Sequence, residues 1–384
     1  MKKTNKRGFT IVELVIVVAV IAILSAVLIP TFSGIIDKAN ESADIQAVRN
    51  MNVALATATE KPENIIEAAA VLSEAGFNTE KGLTPAYKGH SYYWFKPTNQ
   101  VVYVNEADDK FELIFPESVE GFPTEKNNDC LPLSAALEGV VNAPVVSETT
   151  ATIGGNNIPD EVGTSFEDTI TWLTNDEDKN VRYTDAYGNE KSGIVLTGGT
   201  IKLAEDIVLD TPNTNSALGN VGNTLMFNIV GDVTLDLNGH TITQYGFGRS
   251  MNLFIVREGS LSIIDSSAEK TGAIYVSLGA FQINAGSTVN LYSGTIAVTP
   301  DEYRSSADKD EGSCIVNMNG GTFNMYGGKI DATTLVEDDY EDAFAGYGVS
   351  TTIVNLYAGE VVGTTYAEGV GGEINDYIGG ANIQ

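Results

Sequence analysis

At 384 residues, 43% of them hydrophobic, the chain is long enough for two or three domains with sizeable cores. Its formal charge is −29, from 51 Asp plus Glu against 22 Lys plus Arg, so its field repels phosphate backbones, which excludes nucleic acid as a partner. The two cysteines, Cys130 and Cys314, are too few for a disulfide framework and lack C-x-x-C spacing, which excludes a zinc or redox motif. Each reads as a small buried hydrophobe, with one bridge between them left open if the chain is exported.

Lys2, Lys3, Lys6 and Arg7 crowd the first seven positions. They precede nineteen residues, Ile11 to Ile29, that are apolar or small except for Glu13 and Ser25. At roughly 1.5 Å per residue, a helix of that length nearly matches a hydrocarbon core about 30 Å thick. The basic cluster before it, and Asp37, Glu41 and Asp44 after it, place the amino terminus in the cytoplasm and the bulk of the chain outside. The sequence therefore predicts a single-pass membrane protein with an external head. A secretory signal peptide would need a small-residue cleavage site after the apolar run, and the best candidate, Leu24-Ser25-Ala26, begins with a large residue.

At the junction of basic leader and apolar run stands Gly8-Phe9. The stretch KRGFTIVEL, from Lys6 to Leu14, resembles the prepilin leader of type IV pilins and pseudopilins. That resemblance implies a prepilin peptidase that cuts after Gly8, N-methylation of the exposed Phe9, retention of the apolar helix, and other pilin subunits as partners. It also accounts for Glu13. A carboxylate within an apolar membrane helix costs on the order of 2.5–3.5 kcal/mol unless it is paired or near the interface. Cleavage creates a positive α-amino group one helical turn away, and in pilins the matching Glu is thought to meet the amino terminus of a neighbouring subunit during assembly. An interfacial Glu in an ordinary anchor explains the charge but not the Gly-Phe junction. Pro30 falls where pilins often carry a helix-loosening proline, since it removes one backbone donor.

Beyond Pro30, apolar residues from Ile35 to Leu55 recur at three- and four-residue spacing, predicting an amphipathic helix continuous with the apolar one. KPENIIEAAAVLSEAGF reads as a second helix, with Pro62 suited to its first turn and Gly76 to its carboxyl cap. SYYWF and QVVYVNE flank a Pro-containing turn and KFELIFP follows, predicting a three-stranded meander in which Trp94 and its neighbouring tyrosines are buried. A long helix on a small antiparallel sheet is the pilin architecture. The expected organisation is a leader (1–8), a transmembrane and amphipathic pilin helix (9–60) and a small α+β pilin-like head (61–116). A linker with one brief helix follows (117–165), then an all-β right-handed parallel β-helix (166–384).

The β-helix expectation rests on repetition. TLDLNGHTI, SLSIIDSS, TVNLYSGTI, TFNMYGGKI and IVNLYAGEV share one template, and aligned on Leu237, Ile263, Leu291, Met325 and Leu356 their spacings are 26, 28, 34 and 31. Each has an apolar run before it or a β-branched run after it. Three short strands per unit cannot bury their apolar side alone but can when units stack. Alternation puts Leu235, Leu237, Val289, Leu291, Phe323 and Met325 inside. The template resembles the strands of pectate-lyase-like β-helix proteins. A β-sandwich is the competing fold, but its strands rarely repeat a template this closely.

The same alternation sends Asn290, Asn324 and Asn355 outward, each followed two residues later by Tyr292, Tyr326 or Tyr357. Stacked, they form either a sugar-binding platform of aromatic faces beside amide groups, or a ladder that only stabilises neighbouring coils. The acidic insertions DEYRSSADKDEG, from Asp301, and VEDDYEDAF, from Val336, carry oxygen ligands of the kind calcium takes. Neither matches an EF-hand loop, so a solvated charge run is the default and no metal ligands are assigned. Polysaccharide cleavage is the rival activity. Arg249, Arg257, Asp236 and Asp265 are isolated, His90 and His240 stand alone with His240 in a turn, and no catalytic residue is assigned. The reading is a minor or tip-displayed pilin-like subunit whose head binds a glycan, acidic polysaccharide included, or another surface. The alternatives are a pseudopilin of a secretion system and a membrane-anchored polysaccharide enzyme.

Overall fold

The computed structural model describes residues 11–77, 84–107, 110–145, 152–153, 156–157, 182–184, 190–192, 194–204, 206–210, 227–245, 252–276, 279–299, 314–332, 342–346, 352–366 and 373–378. They fall into two compact units, residues 1–62 with 71–134 and residues 63–70 with 135–384.

In the first unit, helix α1 (Ile11–Thr57) runs without interruption through Pro30. Its first half is apolar on every side apart from Glu13 and Ser25, and its described large apolar side chains are exposed, from Ile11 at 81% to Ile36 at 56%. Among the described residues no helix is long and apolar enough to cross a membrane. Its second half is one-sided. Val48, Met51 and Leu55 are buried, and Asn52 binds strand β2 (Gln100–Ala107) edge-on, accepting from Val101 N at 2.6 Å and donating to Val101 O at 2.9 Å.

Strands β1 (His90–Phe95), β2, β3 (Lys110–Phe115) and β4 (Cys130–Pro132) form an antiparallel sheet in the order β3-β2-β1-β4. The predicted three-stranded meander is therefore four-stranded. The extra strand comes from the stretch read as linker, because three residues at the sheet edge are too few for an alternation signal. Cys130 in that strand is a buried free thiol, pushed up to about 12 by burial and the nearby Asp129 and Glu106 charges, so no bridge joins it to Cys314. Trp94 is fully buried and donates to Asn99 Oδ1 at 2.8 Å across the turn between β1 and β2.

Asp44, 4% exposed on α1, ties helix to sheet. It accepts from Ala86 N (2.8 Å), Tyr87 N (2.9 Å), Tyr92 OH (3.0 Å) and Tyr103 OH (3.0 Å). Burial and the Asp44 carboxylate push both phenols well above the ordinary tyrosine range. Tyr103 gives its one proton to Asp44, so His90 Nδ1, 2.7 Å from the same oxygen, is the donor there.

Helix α2 (Ile65–Glu74) is capped by a reciprocal pair: Asn64 Oδ1 accepts from Glu67 N at 3.0 Å, and Glu67 Oε2 accepts from Glu63 N at 2.8 Å. This cap starts the helix after Asn64, so Pro62 precedes the first turn instead of lying in it. At the other end Gly76, with φ +90°, and Phe77 close back on Ser73 O and Leu72 O, the glycine cap the sequence predicts. Helix α3 (Leu133–Val141) is the brief helix expected near residue 133.

The second unit is a parallel β-helix of three ladders. One ladder joins Ile207–Asp210, Thr241–Tyr245, Ala273–Val276, Thr295–Val298, Lys329–Asp331 and Glu360–Val362. A second pairs Phe227, Phe254 and Phe281 in register, then Phe281 with Val316 and Val316 with Phe344. The third contains the sequence template: Ser262, Asn290, Asn324, Asn355 and Asn375 pair in turn. All six residues expected inside are buried in one continuous core.

The register differs from the sequence alignment at one place. Ile263 pairs with Leu235, not Leu237, so the first spacing is 28, not 26. A two-residue slip keeps every side chain on its face, so alternation cannot detect it. The two extra residues fall in the following turn, where Leu237 is still buried and its N donates to Ile264 O at 2.8 Å.

Candidate functional site

Glu13 lies on the exposed first turn of α1, and Pro30 lies within the same helix. Gly8 and Phe9 lie outside the described residues, as does Arg249. So do residues 301–313 and 333–341, which hold most of both acidic insertions. Among the described residues no group of three or more His, Cys, Asp or Glu side chains is arranged to hold a metal.

The structure brings Asn290, Asn324 and Asn355 together and extends their column at both ends. Asn324 Nδ2 donates to Asn290 Oδ1 at 2.9 Å, Asn355 to Asn324 at 2.7 Å and Asn375 to Asn355 at 2.8 Å, while Asn290 reaches Ser262 Oγ at 3.4 Å. Parallel in-register pairing forces this. Identical residues at one strand position sit one above another, about 4.8 Å apart, where an amide can donate one way and accept the other.

The tyrosines form a second column one step past the strand. Backbone bonds carry the register there: Tyr292 N to Ile263 O, Tyr326 N to Leu291 O, Tyr357 N to Met325 O and Tyr377 N to Leu356 O, all at 2.8–2.9 Å. Their rings stack at 4.9, 5.2 and 5.5 Å between centroids, with interplanar angles of 21°, 7° and 16°. Each stacked pair stabilises the coil stack by about 0.5–1.5 kcal/mol beyond area burial. Within the stack the ring faces are covered by one another, so a ligand alongside the column meets ring edges and not the flat platform that is one of the two readings of the sequence.

Beside these columns runs a groove of about 390 Å³, within the size range of small-molecule sites. Its other wall is α3, through Ala135, Glu138, Gly139 and Asn142. Gly139 lets the helix come close, since a Cβ there would overlap the Tyr326 ring. Burial, and secondarily the Glu138 charge, push Tyr292 up to about 12, while burial and then the neighbouring Tyr357 and Tyr292 carry Tyr326 well above the ordinary range. Asn375 and Tyr377 escape the sequence template because Asp376 stands where the template has Leu or Met and the unit is only 20 residues long. The recurring Asn-x-Tyr triplet is the signal that finds them.

Asp236 and Asp265 do not form an acid–base pair. Asp265 accepts from Gly239 N (2.8 Å), Ser267 N (3.0 Å) and Gly272 N (2.6 Å), and although burial raises its carboxyl, these bonds more than offset that and hold it below the usual range. Asp236 Oδ1 accepts from Asn238 N and Ser266 N, and its Oδ2 lies 3.6 Å from Lys202 Nζ. Both aspartates fasten turns between coils. Arg257 donates to Asn228 at 2.6 Å, and His240 follows the Asn238-Gly239 turn, 3.5 Å from Asp206.

No curated protein and no solved structure matches the chain. Residues 3–29 match the family model of the prokaryotic N-terminal methylation motif. That motif implies processing by a prepilin peptidase; the match covers the amino-terminal segment alone, and the β-helix lies outside it.

Proposed function

We propose that the chain is cut between Gly8 and Phe9, held in the membrane by the apolar half of α1, and assembled with other pilin-like subunits into a filament that displays the β-helix head. The match of residues 3–29 carries this reading. The exposed apolar surface from Ile11 to Ile36 supports it, because such a surface needs lipid or neighbouring helices to cover it. Glu13, one turn from the new amino terminus, pairs with it and sets the register of assembly. The size of the head favours a minor or tip-displayed subunit over a densely packed one.

The head binds a glycan through the groove beside the Asn and Tyr columns. Hydroxyl and amide groups recur there at a fixed spacing, and the aspartates that a polysaccharide-cleaving enzyme would need are engaged by backbone amides, which favours binding over cleavage. The mass of the amino-terminal peptide from native cells tests the first half: it begins at methylated Phe9. An intact leader, or a start beyond Ala26, would overturn the filament reading. For the second half, the full chain is retained on immobilised glycan without shortening it. Shortened or unsaturated products would instead make it an enzyme.

A further inference from the structure

We infer that the groove takes an uncharged, extended β-1,4-linked glycan lying along the β-helix axis with one sugar ring per coil, an inference that rests on the glycan-binding reading above. The lining sets the charge. Ser260, Thr288, Asn290, Asn324, Asn355 and Asn142 offer neutral donors and acceptors, and among the described lining residues the one charged side chain is Glu138. An anionic polymer would meet that carboxylate, and a net charge of −29, with no cation among the described lining residues to pair with.

Hydrogen-bond capacity sets the chemistry. Asn324 uses one N–H on Asn290 and one lone pair for Asn355, which leaves it one donor and one acceptor. The rung therefore presents a donor beside an acceptor, the complement of a hydroxyl, which is both. With the tyrosine faces covered, ring edges and hydroxyls supply the remaining contact.

Spacing sets the linkage. Rungs recur at the coil pitch, and the tyrosine centroids alongside are 4.9–5.5 Å apart. A ligand that places one unit on each rung must advance by that distance per unit, and because each rung both donates and accepts, it takes hydroxyls from either edge of rings that turn over in succession. An extended β-1,4-linked pyranose chain advances by nearly this much per ring. An extended peptide advances about 3.3 Å per residue, hence about 6.6 Å between side chains on one face, and loses register within three rungs. An α-1,4-linked chain coils away from a straight ladder.

The test is calorimetric titration of the full chain, in a zwitterionic detergent without a sugar headgroup, with cellohexaose, N-acetylchitohexaose, maltohexaose and polygalacturonate. Cellohexaose or N-acetylchitohexaose binds, and affinity in that series climbs from the disaccharide to the trisaccharide and then levels, matching the groove-lining rungs Asn290, Asn324 and Asn355. Asn324→Ala weakens binding by about tenfold, the equivalent of one charge-free hydrogen-bond pair. Glu138→Lys reverses the one charge among the described lining residues and gains polygalacturonate binding. Preference for maltohexaose or polygalacturonate, or an affinity already complete at the disaccharide, would overturn this inference and leave glycan binding standing. Binding of none of the four would overturn both.

Discussion

Asp44→Ala removes the one acceptor shared by two backbone N–H groups and two phenols between α1 and the sheet. Tyr103 can recover by turning its proton toward His90 Nδ1 once that ring changes tautomer, so three donors remain stranded: Ala86 N, Tyr87 N and Tyr92 OH. At about 1–3 kcal/mol for the buried Tyr92 hydroxyl left unpaired, and less for the part-buried Ala86 and Tyr87 amides that water can reach, the expected loss is about 2–5 kcal/mol. That is a large fraction of the roughly 5–15 kcal/mol that holds a domain folded. Asp44→Asn keeps one oxygen acceptor but turns an amide N–H toward donors, and costs less, about 1–3 kcal/mol. Urea unfolding followed by Trp94 fluorescence reads this directly, in a Trp172→Phe background because the chain has two tryptophans. A loss below about 1 kcal/mol for Asp44→Ala would refute the claim that this carboxylate organises the first unit.

Three further outcomes follow from the second unit and the filament helix. Gly139→Ala drives a methyl into the Tyr326 ring, so it destabilises the helix contact by about 1–3 kcal/mol and speeds hydrogen exchange of the amides at 135–142; unchanged exchange would contradict the close approach. The Asp265 carboxyl is held below its unfolded value of about 3.9, so the stability it contributes is complete above that pH and is lost as pH falls through the lower folded value. Asp265→Asn removes this acid-sensitive portion, and thermal unfolding of the β-helix at acid pH checks it: parallel acid limbs in both proteins would refute the assignment. Glu13→Ala leaves the subunit in the membrane fraction but sharply reduces its recovery in sheared surface filaments, and undiminished recovery would remove Glu13 from assembly.

Much of this architecture was legible because each signal has a local cause. Period-2 alternation in a repeated template identifies stacked strands, and it placed Leu235, Val289, Leu291, Phe323 and Met325 in the core correctly. It could not fix register at Leu237, because sliding by two residues changes no side chain's face. Strand β4 was hidden because three residues paired at an edge carry no pattern of their own. Asp44 read only as one acidic residue flanking an apolar helix, since its four donors come from residues 86, 87, 92 and 103.

By itself the sequence determined the match of its leader to the prepilin motif, a long helix whose apolar half carries Glu13 as its one carboxylate, and a carboxyl half built from stacked coils with outward Asn. Those are properties of covalent order and of short-range periodicity. Only the tertiary structure decided that the tyrosine rings cover one another's faces, that the asparagines bond into a continuous ladder reaching Asn375, and that α3 closes a polar groove beside them. The reason is physical: stacking and amide pairing depend on the register between coils 20 to 34 residues apart, and that register is set by the summed packing of the core and by no single stretch of chain.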